Sequence, residues 1–294
     1  MDKSMKDSPR IAILFHGNSG RTDSYGTCNK LDPEISYSFF KNRILDINKN
    51  VDVFFHCWDT EEEEKLKSLY KPVSTCFEEQ IIFDFEYIVG DPDGPGGEIN
   101  RWKDGKFKGL DNLRFHSLFS RWYSAMKVNH MKRTYEIDNG FRYDFVMLTR
   151  PDLAYSVDFD FRKFNKDSIY HVGPVSDHHG IHDLWFISNS SQMDKFTQMY
   201  EAVKDVKHFP HKFWHSHQAC LSFFKTNKMY EKLRSFGEPR YWGLGAETKR
   251  LGPSPLVRSI LSVEGQGKKK GDDSHMSRER DRIKERATKR FRQE

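Results

Sequence analysis

The sequence predicts an α/β domain in which a mostly parallel central sheet is flanked by helices. Three observations carry that expectation: short apolar runs at 11–15, 51–57 and 145–148, helix-periodic stretches between them, and polar turns bearing glycine or proline where the runs end. Runs this apolar suit strands covered on both faces, as parallel sheets require.

A chain of 294 residues can bury one large core, and residues 1–250 read as a single domain followed by a basic tail, 251–294, detached from the core and partly helical. The hydrophobic fraction of 36% is low and the charged fraction of 31% is high, but 24 Phe, 12 Tyr and 6 Trp supply the bulky apolar surface that a disordered chain lacks. No run approaches the roughly 18 apolar residues of a membrane-spanning helix, and residues 1–10 are too polar for a signal-peptide core, so a cytoplasmic protein is expected. Cys28, Cys57, Cys76 and Cys220 form no CxxC pair and are read as reduced, half-buried side chains rather than as a zinc knuckle or disulfide framework. Residues 268–294 hold 11 basic and 6 acidic residues, which accounts for the whole net charge of +5. The body is therefore balanced, and the tail offers no aromatic platform besides Phe291 for nucleic acid.

Taken in order, residues 11–15 form a buried strand that empties into His16-Gly17-Asn18-Ser19-Gly20-Arg21-Thr22. Asp32 caps a helix with Pro33 in its first turn and an apolar stripe of Ile35, Phe39, Phe40, Ile44 and Ile47. Residues 51–57 are the next strand, giving a β-loop-α-β unit. Thr60 and Glu63 suit a capping box for a short acidic helix, and 72–77 a further strand. Residues 89–109 lack periodicity and read as a long loop. Leu113, Leu118, Trp122, Ala125, Met126 and Met131 mark a long helix over 112–138, stopped by Asn139-Gly140. A central strand follows and ends in Arg150-Pro151-Asp152. Residues 184–187 read as a strand, Ser190 as the cap of a helix with the stripe Met193, Phe196, Met199 and Val203, and 214–224 as a last short helix.

Open parallel sheets bind ligands at the carboxyl ends of their strands, and three clusters fall there. The glycine-bearing turn after the first strand lets backbone amides approach an anion, with Arg21 available to a phosphate; its bland alternative is a tight turn with a surface arginine. Asp152 can hold a divalent cation bridging two phosphates while Arg150 neutralises them directly; the alternative is a strand-end salt bridge. His182-Asp183, preceded by His178-His179-Gly180, offers a carboxylate or imidazole as a base. The histidines His208, His211, His215 and His217 read mostly as surface residues, His217 being placed to add a metal ligand. Two acidic triplets, Asp91-Pro92-Asp93 in the aperiodic loop and Asp158-Phe159-Asp160 in what reads as an edge strand, rank below Asp152.

In order along residues 10–225, these strings resemble a loosely defined family of GT-A-like glycosyltransferases found in bacteria, phages and large viruses. The likeness rests on five segments: Gly17 to Thr22, Val51-Asp52-Val53-Phe54-Phe55-His56-Cys57-Trp58-Asp59, Ser120-Arg121-Trp122-Tyr123-Ser124-Ala125-Met126-Lys127, Tyr143-Asp144 with Leu148-Thr149-Arg150-Pro151-Asp152-Leu153, and Asp183 through Phe196. One departure is Gln218, beside His217, where members often carry a glutamate. The resemblance implies a Rossmann-like nucleotide-sugar fold in which the Arg150-Pro151-Asp152 turn takes the place usually held by DxD. It implies a donor nucleotide seated against His16, Gly17, Gly20, Arg21 and Thr22 and near Asp59, with Arg150 and Asp152 facing the diphosphate and Asp183 as the preferred base. The implied cofactor is a divalent cation, magnesium or manganese, at Asp152 with His217, although Arg150 would allow a metal-independent reaction. A glycan, lipid-linked or protein acceptor is expected, the tail being compatible with peripheral contact with anionic lipid and no specific nucleic acid being expected. The rival readings are a non-catalytic nucleotide or sugar binder on the same scaffold and a nucleic-acid-binding protein acting through the tail.

Overall fold

A computed structural model of the chain describes residues 8–19, 32–81, 83, 86–89, 98–101, 110–153, 155, 157–177, 180–204 and 216–236. The predicted boundary at residue 250, the basic tail, Asp91-Pro92-Asp93 and Cys28 lie outside them. β1 (Ile11–Gly17) leads through α1 (Pro33–Phe40) to β2 (Val51–Cys57), and α2 (Glu63–Tyr70) leads on to β3 (Ser74–Phe77). A small antiparallel pair, β4 (Glu86–Val89) with β5 (Glu98–Arg101), stands apart from the main sheet. After α3 (Leu110–Asn139) come β6 (Phe145–Thr149), β7 (Ile169–Val172), β8 (Phe186–Ser188), α4 (Ser190–Phe196), α5 (Met199–Lys204), α6 (Ser216–Thr226) and β9 (Leu233–Phe236).

The main sheet has seven strands in the order β3-β2-β1-β6-β8-β7-β9. β8 alone runs against the others, pairing antiparallel with both β6 and β7. The chain is therefore α/β with a mostly parallel mixed sheet, an arrangement compatible with a Rossmann-like fold. Its first half, β3-β2-β1-β6, follows the winding of a mononucleotide-binding unit: the chain moves outward from β1 to β3, then returns to the other side of β1.

Alternation along the strands divides the core in two. Ala12, Leu14, Phe54, Val146 and Leu148 pack beneath α3, α4, α5 and α6, while Ile11, Ile13, Phe15, Val53, Phe55, Phe145 and Met147 pack against α1 and α2. Both faces are covered, which is why β1 and β6 read as continuous apolar runs. No described helix is long and apolar enough to cross a membrane.

Several helix ends are set by local chemistry that the sequence displays. Asp32 caps α1 by accepting from the Glu34 amide at 3.0 Å, with Pro33 in the first turn. Gly140, at φ +66°, closes α3 in a Schellman turn, its own amide donating to Ile137 O and that of Phe141 to Glu136 O. Other expectations are corrected. Asn189 rather than Ser190 caps α4, its side chain accepting from Gln192 N at 2.9 Å. Thr60 forms no capping box with Glu63; it opens a 3-10 turn ahead of α2, and the preceding Asp59 directs its carboxylate elsewhere. The stretch over 89–109 read as one long loop contains β5 and the last residue of β4. Asp158-Phe159-Asp160 is not a strand: Asp160 caps a 3-10 turn and pairs with Arg162, while Asp158 pairs with Arg43. β7 and β9, four residues each, were not foreseen.

One buried ion cluster fastens α3 to α4. Lys132 is fully buried, with Nζ 2.5 Å from Ser190 Oγ, 2.7 Å from Asp194 Oδ1 and 3.1 Å from Glu136 Oε2. Removing one partner of such a cluster strands the others in a dry interior. Lys132→Met is expected to lower the unfolding free energy by about 3 kcal/mol, read as a fall in the urea midpoint at unchanged slope.

Candidate functional site

The strand order reverses between β1 and β6, so the carboxyl ends of these strands border the crevice that such a switch point creates. Register then fixes what faces α3 along that edge. His16 pairs with His56, His56 pairs with Cys76, and Arg150 lies two residues beyond the Leu14 and Leu148 pair. Four adjacent strands thus contribute a polar row, Cys76, His56, His16 and Arg150, beneath the first half of α3.

At the end of β1, Gly17 adopts φ +92°, a conformation that side chains other than glycine resist. Its amide donates to Ser124 Oγ of α3 at 2.9 Å, and its carbonyl accepts from Trp58 N at 3.2 Å. Ser124 Oγ also lies 2.7 Å from His56 Nδ1, and His56 Nε2 lies 2.8 Å from Glu78 Oε1. Facing a carboxylate, Nε2 carries the proton and Nδ1 accepts from the serine hydroxyl. Asp59, after β2, holds the following turn: its Oδ2 accepts from Ser19 N at 2.5 Å and from Ser19 Oγ at 3.2 Å.

The corner after β6 is built differently. Arg150 engages both oxygens of Asp152, Nε to Oδ1 at 2.8 Å and Nη2 to Oδ2 at 2.5 Å, which fixes the guanidinium plane. Ser36 of α1 steadies the turn from below, its hydroxyl lying 2.6 Å from Pro151 O and 2.7 Å from Leu153 O.

Because β8 is reversed, the residues that precede it arrive at the same edge. Asp183 is buried there, with Oδ2 3.2 Å from Arg121 Nε and Oδ1 3.2 Å from His217 Nε2 of α6. Burial alone would raise this carboxyl; Arg121, His217 and a hydrogen bond from Ser216 outweigh it and hold the group well below the usual carboxylate range. Gly180 makes the approach feasible. At φ +79° its backbone lies so close to α6 that a Cβ would sit 2.2 Å from the His217 carbonyl carbon.

Two polar side chains at the centre of this edge are left short. Among the described residues, neither ring nitrogen of His16 has a hydrogen-bond partner, although the residue is almost fully buried. Arg121, also buried, forms its ion pair with Asp183 without a hydrogen bond at Nε or Nη2. Burial, then Arg121 and Arg150, hold the His16 imidazole well below its ordinary pKa, so it is neutral near pH 7. Arg121 in turn feels Asp183, Arg150 and Asp152. Buried donors without acceptors, gathered around two guanidinium groups, are suited to an anion.

The edge therefore brings together His16, Gly17, Arg150, Asp152, Asp183 and His217, with Asp59 beside them just after β2. Gly20, Arg21 and Thr22 lie outside the described residues, as do His178, His179, His208, His211 and His215. The expected hard cation at Asp152 with His217 does not suit this arrangement: Arg150 occupies both Asp152 oxygens, and His217 turns to Asp183. Among the described residues, the one group of three potential ligands is His56, Cys76 and Glu78. A cleft at the opposite end of the sheet, lined by Ser8, Asp144, Arg162 and Lys166, holds charges already paired, Lys166 to Asp144 at 2.6 Å. Arg121 and Ser124 carry no site prediction from their spacing alone. Their signal is a charged and a polar residue one step from Leu118, Trp122 and Ala125 on a helix face that ought to be apolar. No protein-family model matches the chain, and no curated protein matches it.

The acid side of the stability profile follows from the buried imidazoles. An unfolded chain protonates His16 near pH 6.5, whereas the folded chain resists, so the unfolded state binds more protons and stability falls as the pH drops below about 6.5. His171, pushed down to about 4 by burial, adds to the fall with the same sign. Replacing His16 by Leu removes its share of the slope and two unmet polar atoms, and is expected to stabilise the unliganded protein by about 1 kcal/mol. Urea midpoints at pH 7.5 and pH 5 measure both effects; an unchanged slope contradicts the assignment.

Proposed function

We propose that the protein is a glycosyltransferase that moves a sugar from a nucleotide-activated donor to an acceptor hydroxyl, with the donor diphosphate held at the carboxyl edge of β1 and β6. The observation that carries this reading is the pair of buried, unsatisfied donors, His16 and Arg121, beside Arg150 at the switch point. Two guanidinium groups and a neutral imidazole supply what a departing nucleoside diphosphate needs, charge neutralisation by donors fixed before reaction. The winding supports a single nucleotide, since β3-β2-β1-β6 is one mononucleotide unit and the strands beyond it do not repeat the pattern. The ordered resemblance to GT-A-like glycosyltransferases points the same way.

The geometry redistributes the expected roles. Asp152 sets the plane of Arg150, and Arg150 meets the phosphate. Asp183, buried beside the Arg121 guanidinium, is a weak base; it orients His217, the more exposed member of the pair, which acts as a neutral imidazole to take the proton from the acceptor hydroxyl. Bond making at the anomeric carbon and departure of the nucleoside diphosphate then follow with that proton on His217.

The test is calorimetric binding and turnover across UDP-, GDP-, CMP- and dTDP-sugars in EDTA. Arg121→Met is expected to weaken binding of the accepted donor at least tenfold. His217→Ala is expected to keep donor affinity within about twofold while turnover falls by about 100-fold or more. Donor binding with no turnover toward any acceptor, water included, would reduce the protein to a nucleotide-sugar binder; absence of binding to every donor would end the proposal.

A further inference from the structure

Two strands away from the proposed diphosphate position, the same polar row ends in a second constellation. His56 on β2 and Cys76 on β3 are register partners, and Glu78 follows directly after β3. His56 is buried, Cys76 and Glu78 are half-buried, and one ligand atom from each lies within 4.8 Å of the other two. From this geometry we infer that His56, Cys76 and Glu78 form a site for a zinc-class divalent cation. The inference does not depend on the transferase reading.

The donor set is one imidazole nitrogen, one thiol sulfur and one carboxylate oxygen, which suits a borderline-soft, tetrahedral ion and leaves its fourth position open. Ser124 makes the imidazole adaptable. Without metal, His56 Nε2–H donates to Glu78 and Nδ1 accepts from Ser124. With metal on Nε2, Nδ1–H donates to Ser124 Oγ, and the serine hydroxyl turns to the His56 carbonyl, 3.3 Å away. The oxygen has two lone pairs, so it accepts from Gly17 N and Nδ1 together, and no polar atom is orphaned in either state. Such a partner on the remote nitrogen is what orients a ligating histidine.

Ligand spacing is close to what an ion requires. Two ligands about 2.1 Å from a tetrahedral centre stand about 3.4 Å apart, against 2.8 Å between His56 Nε2 and Glu78 Oε1. Glu78, whose side chain is 30% exposed beside the edge strand β3, would have to shift outward by the difference. Lys127 Nζ stands 3.9 Å from the other Glu78 oxygen, balancing the charge of that carboxylate without occupying Oε1.

The experiment uses the full-length chain, reduced and stripped with EDTA, and Co2+ as the probe. One saturable equivalent is expected, with a thiolate-to-cobalt charge-transfer band in the near ultraviolet that is lost in Cys76→Ser, and with binding at least tenfold weaker in Glu78→Gln. On the unaltered chain, Zn2+ is expected to slow alkylation of Cys76 at least tenfold, followed on its peptide by mass spectrometry. Absence of saturable binding, a band that survives Cys76→Ser, or alkylation of Cys76 indifferent to zinc overturns the site.

Discussion

The constraint on which the rest depends is the burial of a polar row across the carboxyl ends of four parallel strands. Any polar group that α3 covers must find a partner or carry a desolvation cost. Most of the local architecture answers to that demand. Ser124 replaces an apolar helix residue because the Gly17 amide and His56 both need it. Ser19 is bound by Asp59, whose side chain does not cap the 3-10 turn that it precedes. Gly180 is glycine because the loop must touch the α6 backbone before Asp183 can meet His217.

The same demand separates structural from functional charge within one helix. Lys132, low on α3, hydrogen-bonds Ser190 and Asp194 and pairs with Glu136 Oε2 at 3.1 Å, a contact that is an ion pair only. Arg121, three turns earlier, faces one carboxylate at 3.2 Å and makes no hydrogen bond through Nε or Nη2. The Lys132 side chain is fully shielded from water and that of Arg121 nearly so. The difference lies in the donors left over on Arg121, which the proposed anion would meet.

Much of the first half was legible in the sequence, because its signals are local. The strand over 51–57, the Asp32 cap with Pro33, and the Gly140 stop each need only neighbouring residues. The corners after β1 and β6 were legible as polar turns after apolar runs. What escaped depends on partners far along the chain. β9 exists because β7 offers it an edge, and its Leu233-Arg234-Ser235-Phe236 carries no period that announces a strand. The ion pair of Asp183 escaped for the same reason, and that of Asp152 is legible only as an alternative: a carboxylate at a strand end looks alike in sequence whether it is free for a metal or closed by an arginine. Arg121 was partly visible, as a charge in the buried register of α3, and that kind of inconsistency identifies a site better than a motif does.

The reversal of β8 decides how the two sides of the site are assembled. In an all-parallel sheet each strand delivers its last residues to the ligand edge, and a crossover must intervene before the next strand can contribute. A reversed strand delivers the residues that precede it. Leu148 pairs with Phe186, so Asp183 lies just beyond the end of β6, level with Arg150 and Asp152. His217 then reaches the same place from the first turn of α6, guided by the Ile181 amide donating to its carbonyl at 3.0 Å. Arg150 and His16 therefore come from the parallel half and Arg121 from α3, whereas Asp183 comes from the segment ahead of the reversed strand and His217 from α6. In the proposed transfer, the groups that would neutralise a leaving diphosphate and the pair that would deprotonate an acceptor are thus supplied by different halves of the sheet.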